Sequence, residues 1–188
     1  VAGRRVPVIG SVQGLSPDRT IVGIAATADR TGYRLVANDG SVFPFNAAAR
    51  GEVTVHSAKD AAVGIASSTD DGYWIAQRDG SVGSFSAPRF DRATIPAGDY
   101  VVGIASTPKG RGYWLLTAGG RVVGAGVRNH GDLTTMNVRA HATAIAAAPG
   151  GGYWITTDDG RVYSFGSASA ATSSAKQPLS QIVAVVPG

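Results

Sequence analysis

Cysteine is absent from the chain. That excludes disulfides, thiolate metal sites and cysteine nucleophiles, but it leaves the compartment open, because exported bacterial proteins often lack cysteine too. Among 13 acidic residues the only glutamate is Glu52, and among 17 basic residues only Lys59, Lys109 and Lys176 are lysines. There is a single Met, and aromatic residues make up 7% of the chain. No apolar run approaches the roughly 18 residues that a membrane-crossing helix needs. The three histidines, His56, His130 and His141, sit in no nucleophile or metal signature. No Gly-x-Ser-x-Gly elbow, His-Glu-x-x-His pair or phosphate loop occurs. The first residue is Val1 rather than an initiating Met, which reads as a processed terminus or a cut fragment.

The 188 residues are rich in Ala, Val, Ile and Gly, so the core must be assembled from small side chains. At this length folding removes roughly 70% of the unfolded chain's surface from water, enough for one self-sufficient core. The net charge is +4 and the sequence pI about 9.7. Anionic partners would suit that balance, yet the arginines are scattered about one to a loop, with no basic stripe. The surplus reads as a solvated surface, and no nucleic-acid partner is expected. Arginine preferred to lysine, with plentiful Ala and Gly, reads as the imprint of a GC-rich genome.

Against these absences stands one strong positive signal. Gly32-Tyr33, Gly72-Tyr73, Gly112-Tyr113 and Gly152-Tyr153 recur at intervals of 40 residues. Gly40, Gly80, Gly120 and Gly160 keep the same interval, as do Val42, Val82, Val122 and Val162. Phe45, Phe85 and Phe165 form a fourth series, in which the third copy has Ala125. Upstream of each Gly-Tyr lies a short apolar run: "IVGIAAT" (21–27), "AVGIASS" (62–68), "VVGIAST" (101–107) and "ATAIAAA" (142–148). Such a period marks a repeat architecture.

Each unit reads as strands. The "VGIA" runs are short, apolar and bounded by turn residues, as expected of a strand packed on both faces. A second strand begins at the Tyr, and Asp-Gly or its equivalent then predicts a two-residue hairpin turn. The third strand follows at the Val. Pro44 lacks an amide donor, which puts the third strand of the first copy at an edge or a bulge. Segments such as "EVTVH" (52–56) and "DLTTM" (132–136) supply candidates for a fourth, outer strand. The expected fold is all-β: a β-propeller of four-stranded antiparallel blades, in one domain over 1–188, with repeats at about 21–60, 61–100, 101–140 and 141–180.

The combination of Gly-Tyr-Trp, Asp-Gly-x-Val and Phe-Gly after "VGIA" resembles the β-propeller repeats of secreted and cell-surface proteins of GC-rich bacteria. The resemblance covers residues 21–175 and departs from the pattern at Arg34 and Ala125. It implies a secreted or surface-displayed module. It is specific for fold and says little about activity, because propellers host unrelated functions. At the ends, "IVAVV" (182–186) matches an innermost strand and "RRVPVIGSV" (4–12) an outer strand. These predict ring closure within one monomer, with a piece of a longer array or strand sharing between chains as the alternatives.

Candidate site residues come from the repeated second strand. Tyr33, Tyr73, Tyr113 and Tyr153 share a face with Leu35, Ile75, Leu115 and Ile155 and read as core. The opposite face carries Arg34, Trp74, Trp114 and Trp154. These four are the candidate binding residues, either as sugar-stacking platforms that gain by multivalency on a polymer or as inter-blade packing. Asp70-Asp71 and Asp158-Asp159 invite a calcium reading, but one turn supplies too few oxygens, and hairpin capping is the expected role. No metal, cofactor or catalytic residue is expected. The functional expectation is a non-catalytic binding or scaffolding module that contacts a glycan, a cell-wall polymer or a protein. A purely structural or oligomerisation unit is the alternative, and a propeller hydrolase with axial carboxylates is a third possibility.

Overall fold

The structure is a computed structural model, and it describes residues 10–12 and 14–170. It is all-β. Twelve strands pair into four antiparallel sheets of three strands each, one per repeat. The first sheet holds β1 (Ile21–Ala26), β2 (Tyr33–Ala37) and β3 (Val42–Phe45). The second holds β4 (Ala62–Ser67), β5 (Tyr73–Gln77) and β6 (Val82–Phe85). The third holds β7 (Val101–Ser106), β8 (Tyr113–Thr117) and β9 (Val122–Ala125). The fourth holds β10 (Ala142–Ala147), β11 (Gly152–Thr157) and β12 (Val162–Gly166). Register recurs with them: Tyr33 faces Phe45, Tyr73 faces Phe85, Tyr113 faces Ala125 and Tyr153 faces Phe165.

Consecutive sheets stack face to face, and the core lies between them. Ala25, Val36, Ile65 and Tyr73 join the first sheet to the second. Ala66, Trp74, Val101 and Tyr113 join the second to the third. Ala105, Trp114, Ile145 and Tyr153 join the third to the fourth. The glycine of "VGIA" explains how close the first strands come. A Cβ on Gly23 would lie 3.0 Å from the Ile65 amide nitrogen, and one on Gly64 would lie 3.3 Å from Ile104 Cγ2. Each junction is also pinned by a backbone bond: the amides of Ala62, Val101 and Ala142 donate at 2.9 Å to the carbonyls of Asn38, Arg78 and Ala118.

Three expectations are corrected. Among the described residues the sheets have three strands, not four. Segment 52–56 forms no strand, and Leu133–Thr135 is a 3₁₀ turn whose N-cap, Asp132, accepts from the Thr134 amide. Both segments cross under the hairpin turns: a Cβ on Gly40 would strike the Val53 carbonyl, and one on Gly120 would strike Leu133. Covering the Gly120 turn buries Leu133 to 3% exposure. The hairpin loops have three residues, not two. Ala37 donates to Ser41 and Gly40 donates back to Ala37, so that only Gly40, at φ +89, needs a left-handed backbone. Finally, Asp71 does not cap its turn but pairs with Arg34 across the junction. Capping falls instead to Asp29, Asp39, Asp79 and Asp159, which accept from amides two residues on.

Pro44 lies in β3, an edge strand, as its missing donor requires. Of the expected terminal strands, 182–186 and 4–9 lie outside the described residues, and residues 10–12 belong to no sheet. Among the described residues no strand of the first sheet pairs with one of the fourth. No helix among them is long and apolar enough to cross a membrane.

Candidate functional site

The second strand of each sheet turns its tyrosine toward the preceding sheet and its next residue toward the following one. Trp74 lies 5.2 Å from Tyr113 and Trp114 lies 5.1 Å from Tyr153, centroid to centroid and both inclined at 59°. At the first junction the Arg34 guanidinium takes that place, 5.0 Å from the centre of the Tyr73 ring. Each residue also donates to a loop carbonyl 14 residues on: Arg34 Nε to Ala48 at 2.9 Å, Trp74 Nε1 to Pro88 at 2.8 Å and Trp114 Nε1 to Arg128 at 3.0 Å. Trp154 donates to the Ser169 carbonyl at 2.8 Å.

Three of the four candidate binding residues are therefore inaccessible as platforms. Arg34 and Trp74 are fully buried and Trp114 is 1% exposed. They serve as the inter-sheet packing weighed beside the platform reading, because each covers a tyrosine of the next sheet. Trp154 differs: it is only partly buried. The tyrosines hold the loops as well. The Tyr73 hydroxyl donates to the Gly51 carbonyl and accepts from the Arg50 amide. Tyr153 bonds Gly131 and the His130 amide in the same way. Burial raises the pKa of both Tyr113, to about 12, and Tyr153, because the phenolate would lose its water.

What the packing leaves open is a cleft at the loop end of a junction. A residue 16 positions beyond the Arg/Trp flanks each pair: Arg50, Phe90 and His130. At the second junction Phe90 packs on both Trp74 and Tyr113. The loops there also join, with the Thr69 amide donating to the Gly110 carbonyl at 3.0 Å. His130 packs likewise on Trp114 and Tyr153 at the third junction, so the joined loops are what set the second apart. The first and third junctions are open at their loop ends, with clefts of about 390 and 350 Å³ lined at repeat-equivalent positions.

The two clefts differ in their charged groups: carboxylates line the first, where arginines answer one of them, and cations unpaired among the described residues line the third. The first has Asp29 and Asp71. Asp29 is held at a pKa of about 2, chiefly by the Thr27 hydroxyl and the Thr31 amide. Asp71 Oδ2 is 2.6 Å from Arg34 and 3.6 Å from Arg50, whereas Asp71 Oδ1 is buried without a hydrogen-bond partner. In the third cleft Lys109 stands at the Asp29 position and Gly151 at the Asp71 position, and Arg111 and His130 complete a basic rim. The floor is Trp114, Pro108, Val127 and Pro149. Among the described residues neither Lys109 nor Arg111 forms an ion pair. No group of three or more His, Asp or Glu side chains there gathers as a metal site would require.

In the sequence Asp71 reads as a hairpin cap and His130 lies in no signature, while Asp29, Lys109 and Arg111 carry no motif at all. Their signal is visible once the repeats are superposed: the tyrosines stay constant while the loop positions change from Asp to Lys and from Asp to Gly.

No family model matches the chain, and no curated protein matches it. Among solved structures, the extracellular domain of a hybrid two-component system from B. thetaiotaomicron is similar over 79% of the chain, at 14% identity and a TM-score of 0.49. The chain spans 21% of that protein's length.

Proposed function

We propose that the four sheets are blades of a β-propeller and that the protein is a non-catalytic binding module, secreted or displayed at the cell surface, which contacts a glycan, a cell-wall polymer or a protein through its junction clefts. One observation carries this reading. The tyrosines and the contacts that join the sheets are kept at each described junction, with Arg34 taking the place of Trp at the first, whereas the loop residues lining the open clefts change in charge. A rigid scaffold with variable loops is how binding surfaces are commonly built. The resemblance of the repeat motifs to those of exported bacterial proteins supports the location.

The test is binding by the full chain to purified cell wall, to a glycan panel and to surface proteins, beside a Val127→Arg variant that fills the third cleft. The expected result is a ligand lost on filling. A folded protein that captures nothing in any of the three formats overturns the reading.

A second reading, a structural or oligomerisation unit, is favoured by the leading face of the first sheet. There Ile24 is 65% exposed, while its counterpart Ile65 is 6% exposed beneath the preceding sheet. Light scattering across a range of concentrations separates the two, since a concentration-independent monomer argues against assembly.

A further inference from the structure

Resting on the binding-module reading, we infer that the cleft between the third and fourth sheets is a site for an acidic sugar, a pyranose ring carrying a carboxylate. The charge is the first ground. Lys109 and Arg111 are exposed, flank the same opening and have no carboxylate partner among the described residues. Two unpaired cations at one mouth match a single carboxylate, and the planar guanidinium of Arg111 can bind both its oxygens.

The floor is the second ground. Between the cations the wall is apolar: Pro108, Pro149 and Val127 face the opening, backed by the buried ring of Trp114. Trp114 is itself held by Tyr153 and by its bond to the Arg128 carbonyl, so the floor is formed before a ligand arrives. A flat C–H face of a sugar suits such a surface, and a bare inorganic anion would leave it unused. Gly150 and Gly151 line the far side with backbone only, and a volume of about 350 Å³ accommodates one or two sugar rings.

The third ground is the first cleft, an internal control built on the same frame. It carries Asp29 where Lys109 stands, Thr31 where Arg111 stands and Asp71 where Gly151 stands. An anion held by the unpaired cations of the third cleft should bind more weakly in the first, where Asp29 replaces Lys109 and the arginines are already engaged by Asp71.

The experiment titrates the full chain with tri-galacturonate, with the matching neutral galactose trimer and with acetate at equal ionic strength, followed by calorimetry and tryptophan fluorescence. The variants are Lys109→Asp with Arg111→Thr, which writes the first cleft's residues into the third, and Asp29→Lys. The acidic trimer is expected to bind best, to weaken about tenfold or more in the double variant, and to bind the Asp29→Lys protein at least as well. Both altered positions are exposed, and thermal melting verifies that the variants fold. Equal binding of neutral and acidic trimers, equal competition by acetate, or indifference to the double variant overturns the acidic-sugar assignment while leaving the binding-module reading intact. Absence of binding to any trimer also overturns it. The module reading falls with it only if the cell-wall and surface-protein captures are empty as well.

Discussion

The Arg34 guanidinium lies 5.0 Å from the centre of the Tyr73 ring and does for the first junction what tryptophans do for the next two. It keeps both of their contacts, the face of the following tyrosine and the carbonyl 14 residues on. It adds a charge, and that charge is answered by Asp71 from the following sheet at 2.6 Å.

This exchange predicts a compensating pair. Arg34→Ala leaves Asp71 with only the longer contact to Arg50 at 3.6 Å, and Asp71→Gly strands a guanidinium whose side chain is 1% exposed. Removing one partner of a fully buried pair costs about 3–5 kcal/mol, and Asp71 is partly solvated, so each single change should cost about 2 kcal/mol in urea unfolding. Arg34→Trp combined with Asp71→Gly copies the third junction, and it also relieves Asp71 of its φ of +59. The double variant should recover most of the loss, with a coupling of about 1–2 kcal/mol. Additive losses would contradict the equivalence of the junctions.

Trp114 and Trp154 occupy the same repeat position in different surroundings. Trp114→Ala should cost about 3–5 kcal/mol, because it opens a cavity against Tyr153. Trp154 is only partly buried, so Trp154→Ala should cost about half as much. Denaturant midpoints at constant m-value provide the comparison, and equal losses would mean that Trp154 is as fully packed as its relatives.

The tyrosines predict an alkaline limit. Burial lifts Tyr113 to about 12 and raises Tyr153, whose neighbour Asp132 also disfavours the phenolate. A phenol with a folded pKa above its unfolded value of about 10 contributes stability in full below that pH. The contribution is lost as the pH climbs from about 10 to 12. Ultraviolet titration should show these two tyrosines ionising late, and Tyr113→Phe should flatten the fall in melting temperature over that window. An unchanged fall would remove Tyr113 as its cause.

Ile24 and Ile65 form the plainest contrast. Ile65→Ala should cost about 2–4 kcal/mol, since it empties contacts against Gly23 and the first junction. Ile24→Ser, at 65% exposure, should change stability by less than about 0.5 kcal/mol in the isolated chain. A large loss at Ile24 would show that its face is covered in solution.

Much of the fold was legible because repetition supplies several readings of each position. Gly-Tyr, Asp-Gly and Val recur in step, so strand order and antiparallel pairing follow from periodicity, and the structure keeps them. The outer strand was misread because "EVTVH" alternates as a strand should. Its valine instead finds the underside of the Gly40 turn, a contact with no local signature.

The linear chain, then, determined the unit: three short strands, a left-handed glycine at each hairpin tip, and a tyrosine face that must be buried. These depend on local backbone preference and on alternation over a few residues, and both are written in adjacent positions. Stacking decided the rest. A face that tolerates Arg in one copy and Trp in three looks accessible when one repeat is read alone, yet it is buried because the next sheet closes over it and brings Asp71 from 37 residues away. The same stacking brings Lys109, Arg111 and His130 to the mouth of one cleft, and their shared location is a property of the packed sheets.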